Sequence, residues 1–127
     1  MEVVKKTVLP VFLATLWISL SEFIRNEFLL RDYWHSHYAG LGLSFPSEPV
    51  NGAIWGLWSL LFAILIYIIT RRFNFWQSVF IAWFAGFVLM WVVTGNMLVL
   101  PLGLLPFAIP LSILETLLAA WIITKMS

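Results

Sequence analysis

Cysteine is absent from the chain and charge is scarce: charged residues make up 10% of 127, against 62% hydrophobic. The first absence excludes disulfides, thiolate nucleophiles and Cys-held metal or iron–sulfur centres. The second excludes an ordinary soluble surface, for which charged residues usually make up about a quarter of the sequence. Seven Lys and Arg against six Asp and Glu give a net charge of +1, so no basic stripe for nucleic acid exists. No Ser-His-Asp arrangement, zinc-protease helix or phosphate-binding loop is spelled out either. The reading therefore leans away from an enzyme, and it calls for no cofactor.

Long apolar runs are what the chain does have. They cover residues 8–30, 52–70, 75–94 and about 102–124, each long enough for a hydrocarbon core of roughly 30 Å at about 1.5 Å per helical residue. The expected fold is an all-α, integral membrane four-helix bundle forming a single transmembrane domain over residues 1–127. The first run follows Lys5 and Lys6 as a signal peptide would, but it ends in SEFIRNEF rather than in small residues, and reads as a retained helix. Lys5, Lys6, Arg71, Arg72 and Lys125 all fall at one end of such a bundle, which predicts cytoplasmic N- and C-termini.

Punctuation supports the spans. Pro46, Pro49 and Asn51 close the first outer loop, with Asn51 as the expected N-cap of the second helix. Asn74 and Gln77 read as a capping box opening the third, and Gly95-Asn96 as its end. Pro110 removes a backbone donor inside the fourth, which predicts a bend or an irregular start there.

Each helix carries a small or polar seam. Thr15, Ser19, Glu22 and Asn26 share one face of the first; Gly52, Gly56, Ser59 and Ala63, including a GxxxG, share one face of the second. The third has Ser78, Ala82, Ala85 and Gly86, and the fourth has Ala108, Ser112, Glu115 and Ala119. Membrane helices associate through close backbone approach and interhelical hydrogen bonds, so these seams are the expected packing faces.

The seam of the first helix holds the sharpest functional signal. Glu22 lies roughly 12 Å below the end of its run at Leu30, inside the hydrocarbon, with Arg25 and Asn26 above it. Side chains lean toward their helix N-terminus, so Arg25 reaches down while Glu115, on an oppositely directed helix, reaches up. A Glu22, Arg25 and Glu115 cluster, with Asn26 and Ser112 as hydrogen-bonding neighbours, is the expected ligand-binding or proton-coupled site. Ionisable groups in a bilayer cost on the order of 2.5–3.5 kcal/mol each and mark function by default. A structural ion pair joining two helices is the competing account, yet one Arg25 serves only one of two carboxylates in such a pair.

His35 and His37 are the metal candidates, flanked by Asp32 and Glu48, because alternate side chains of an extended segment share a side. An interfacial loop, with Tyr33, Trp34 and Tyr38 at headgroup level, is the more ordinary reading of the same residues. Trp76 and Trp121 sit near helix ends as anchors, whereas Trp17, Trp55, Trp58, Trp83 and Trp91 read as packing or lipid-facing residues.

The segments YWHSHYAGLGLSFP (33–46), NGAIWGLWSLLFA (51–63) and PLSILE (110–115) resemble a group of short bacterial four-helix membrane proteins without a known function. That resemblance implies a multi-pass protein of the bacterial inner membrane. A looser likeness is to the small multidrug resistance transporters, also short and four-helical, with a membrane-embedded glutamate in the first helix that exchanges protons for drug cations. It implies such a role for Glu22 and a homodimer as the working unit. Three expectations follow: an outward-facing polar pocket that binds or moves a small amphiphilic or anionic molecule; a proton-coupled exporter; or a structural, partner-binding subunit. The partners are membrane lipids, a small-molecule ligand and further copies of the chain.

Overall fold

The computed structural model describes residues 1–127 and is all-helical, with no strand. Helix α1 spans Val4–Leu29, and α2 is a short helix over Arg31–Gly40. Helix α3 runs over Pro49–Thr70, α4 over Phe75–Asn96, and α5 over Leu105–Met126 after a 3₁₀ turn at Leu102–Leu104. Four helices, α1, α3, α4 and α5 with its leading turn, are long and apolar enough to cross a membrane, with mean hydropathies of 1.7 to 2.2. Of 100 backbone hydrogen bonds, 83 lie within helices, so the long helices satisfy most of their own polar groups.

Helices α3 and α5 touch along the middle of the bundle, with α1 packed into one side of the pair and α4 into the other. Their core holds Ala14 and Ile18 of α1, Phe62, Ala63 and Ile66 of α3, Val79, Ala82 and Phe87 of α4, and Ala119, Ala120 and Ile123 of α5. Large apolar side chains point the other way, among them Leu20 and Phe23 at 54% and 55% exposed, with Leu61, Phe80, Val92 and Leu114. Apolar side chains thus cover the outer faces of all four long helices.

Helix ends follow local chemistry, with two corrections. Asn74 and Gln77 do form a reciprocal capping box, with Gln77 N–H donating to Asn74 Oδ1 at 2.9 Å. Asn51, however, is not the N-cap of α3. Glu48 takes that place, Pro49 occupies the first helical position, and Asn51 accepts from the Glu48 N–H three residues back. Helix α4 ends at Asn96 as Gly95-Asn96 implied, but the residue turned to positive φ is Leu98, at 64°. Its N–H donates to Gly95 O and that of Val99 to Thr94 O, the left-handed helix ending usually given to glycine. Gly42, with φ 76°, ends α2 in the same way.

The seams need revision too. On α5, Ala108, Ser112, Glu115 and Ala119 are all buried. On α1 the buried line is Ala14, Ile18, Glu22 and Arg25, one residue round from Thr15 and Ser19, which are half-buried. On α3 only Ser59 and Ala63 of the expected seam are buried; Gly52 is exposed, Gly56 is half-exposed, and a Cβ at either would meet no atom within 4 Å. With open space beside both glycines, the GxxxG packs nothing within this chain. Ala85 of α4 is likewise exposed. Gly86 is the closest approach: a Cβ there would stand 2.5 Å from Phe62 Cε1.

Candidate functional site

Arg25 sits between two carboxylates at the centre of the bundle. Its Nη2 lies 2.6 Å from Glu22 Oε1, one helical turn away on α1, and its Nη1 donates to Glu115 Oε1 of α5 at 3.1 Å. Glu22 is 4% exposed, Arg25 6% and Glu115 0%. The guanidinium fork suits this task, because two of its nitrogens address two acids in different directions. A third helix contributes through Phe87 of α4, whose ring centre is 5.3 Å from the Arg25 guanidinium carbon.

Backbone irregularity flanks the centre on both sides. The π turn Arg25–Leu29 begins at the arginine, closed by Leu30 N–H donating to Arg25 O at 2.8 Å. The π turn Phe84–Val88 carries Phe87. Inserting such a turn rotates the following residues around the helix, and π turns recur at functional sites for that reason.

Polar donors surround the triad, and one of them, Asn26, reaches a carboxylate. Asn26 Nδ2 donates to Glu22 Oε2 at 3.0 Å, and its own Oδ1 accepts from the Trp34 indole of α2 at 2.9 Å. Trp17 donates to the Glu115 carbonyl, and Trp83 to the Ser112 hydroxyl, both at 2.9 Å. Ser112 therefore joins α4 to α5 one turn above Glu115 and, contrary to expectation, bonds none of the triad side chains: its own hydroxyl donates to Ile109 O at 3.0 Å. The three indoles are polar partners of the site, which apolar spacing alone did not reveal; the usable signal is that an indole N–H away from water needs an acceptor.

The chain matches no protein-family model, no curated protein and no solved structure. What the site does must come from its own chemistry. Two acids share one guanidinium, leaving one negative charge in formal excess, and Glu115 Oε2 is buried with no hydrogen-bond partner. Formally, one further positive charge, whether a proton or a cationic group, would balance the three side chains.

His35 and His37 stand apart from this centre. The segment RDYWHSHYAG is helical, not extended, so side chains two residues apart diverge around the axis instead of sharing a side. His37 Nε2 is 2.7 Å from Leu98 O, His35 packs against Phe45, and no group of three metal-ligating side chains exists. Trp34 and Tyr38 pack with Phe45 as well, and Trp34 joins Leu30, Leu100, Leu104 and Ala108 in a second, smaller core. Helix α2 thus caps the end of the bundle nearest the acids.

Proposed function

We propose that the chain is a multi-pass membrane protein that binds or moves a small cationic amphiphile, with Glu22, Arg25 and Glu115 as the polar end of its site. The observation that carries the reading is the unpartnered, fully buried Oε2 of Glu115 beside an arginine already shared by two acids. An anionic ligand would have to displace a carboxylate from Arg25, whereas a cation or a proton completes the charge count. A cationic amphiphile in place of an anionic one is therefore the class that the geometry favours. Proton exchange against such a molecule is the mechanism implied by the likeness to small multidrug resistance transporters.

The orientation belongs to the same proposal. Lys5, Lys6, Arg71, Arg72 and Lys125 gather at one end of the bundle, and the positive-inside bias makes that end cytoplasmic. The triad and its cap α2 then face outward.

A structural reading is favoured by one specific feature: the triad and the Trp17 and Trp83 bonds tie α5 to both α1 and α4. Binding of tetraphenylphosphonium to protein in nanodiscs separates the two. Saturable binding that resists competition by tetraphenylborate and disappears in a folded Glu115→Gln variant supports a cation site. Equal behaviour of the two ions, or unchanged binding in Glu115→Gln, refutes it.

A further inference from the structure

An open groove of about 630 Å³ runs between α1 and α3, away from the triad. Thr7, Val11 and Thr15 line one wall, and Gly56, Leu60 and Tyr67 the other. It is apolar throughout save at one end. There the Thr7 and Tyr67 hydroxyls pair at 3.0 Å. From Thr7 to Thr15 the groove measures roughly 12 Å along the axis, close to one leaflet's share, about 15 Å, of a hydrocarbon core.

Its polar end opens among cations. Arg71 lies over the Tyr67 ring, 5.5 Å from guanidinium carbon to ring centre, and also lines a polar recess of about 290 Å³ with Thr70, Thr124 and Ser127. Lys5 and Lys6 precede Thr7 by less than a turn, and Arg72 and Lys125 lie at the same end, where Glu2 is the acidic side chain and bridges Lys6 at 3.5 Å. Basic recesses between membrane helices on the cytoplasmic side suit anionic lipid headgroups. We infer that the α1–α3 groove holds one acyl chain of an anionic phospholipid from the leaflet at the basic end, with its phosphate at Arg71. The inference rests on the four helices being membrane spans and is independent of what the triad binds.

A chain-length groove joined to a cluster of cations distinguishes this occupant from a second copy of the protein, whose own basic end would repel Arg71, Lys5 and Lys6 in a parallel dimer. The test is native mass spectrometry of protein released from nanodiscs containing equal phosphatidylglycerol and phosphatidylcholine. One phosphatidylglycerol should stay bound per chain in preference to phosphatidylcholine. Arg71→Gln should cut that preference about fivefold, the change expected on losing one basic side chain near an anionic surface. Gly56→Leu should abolish retention while leaving the fold intact, since a Cβ there meets nothing within 4 Å; Leu60→Trp fills the same groove from another position. Equal retention of both lipids overturns the inference, as does retention unchanged by both groove-filling variants. A lipid-free dimer that Gly56→Leu converts to monomer overturns it in favour of a second copy.

Discussion

Arg25 is the residue on which the interior depends, because it is the cation nearest two buried acids. Arg25→Gln leaves Glu22 and Glu115 facing one another without a counter-charge, and breaking a buried pair in this way costs about 3–5 kcal/mol. Adding Glu115→Gln should recover part of that loss, with a coupling energy of about 1–3 kcal/mol in the double-mutant cycle. Chemical unfolding in detergent measures it, and strictly additive losses would show that the two side chains do not interact. Arg25→Lys should not rescue stability, since a single ammonium cannot offer separate nitrogens to Oε1 of both acids. The charged members of this centre were legible in the sequence because opposed helices lean their side chains toward each other, which brings Arg25 and Glu115 to one level. Phe87 was not legible. Its approach to Arg25 depends on a π turn within α4 that no residue pattern in FAGFV announces.

At the scale of the helix, periodicity located faces but not their partners. The α5 seam was readable because Ala108, Ser112, Glu115 and Ala119 keep one spacing and α5 is surrounded on several sides. Small residues on α3 permit close approach without saying to what, and Gly52 and Gly56 face open space. Helix α2 escaped notice because RDYWHSHYAG mixes polar and aromatic residues with no apolar stripe; its helicity comes from docking Trp34 and from the Gly42 ending. Gly86 is the small residue on which helix packing does turn. Gly86→Ala places a methyl 2.5 Å from Phe62 Cε1, in a ring cluster already closed by Trp58 and Phe87. Overpacking of this kind costs about 1–3 kcal/mol. The melting temperature of Gly86→Ala should therefore fall while that of Gly56→Leu holds, and equal effects at the two glycines would contradict the assigned interface.

For the whole molecule, one proposed orientation goes with one charge imbalance. A chain without cysteine gives a clean background for labelling, so Ser36→Cys on α2 should react with an impermeant maleimide from outside the cell, and a cytoplasm-active reporter fused after Ser127 should be active. Labelling from the cytoplasmic side alone would invert the proposed topology. In the proposed function the triad lacks one positive charge, and a cationic ligand exchanges for the proton that otherwise supplies it. Calorimetric titration of tetraphenylphosphonium into the protein in nanodiscs, repeated in two buffers of different ionisation enthalpy, counts the protons released per cation bound. About one proton should be released per cation in the wild-type chain, and Glu115→Gln should show no saturable binding, because the group that takes either charge is then gone. Wild-type binding without proton release, or none at all, would contradict it.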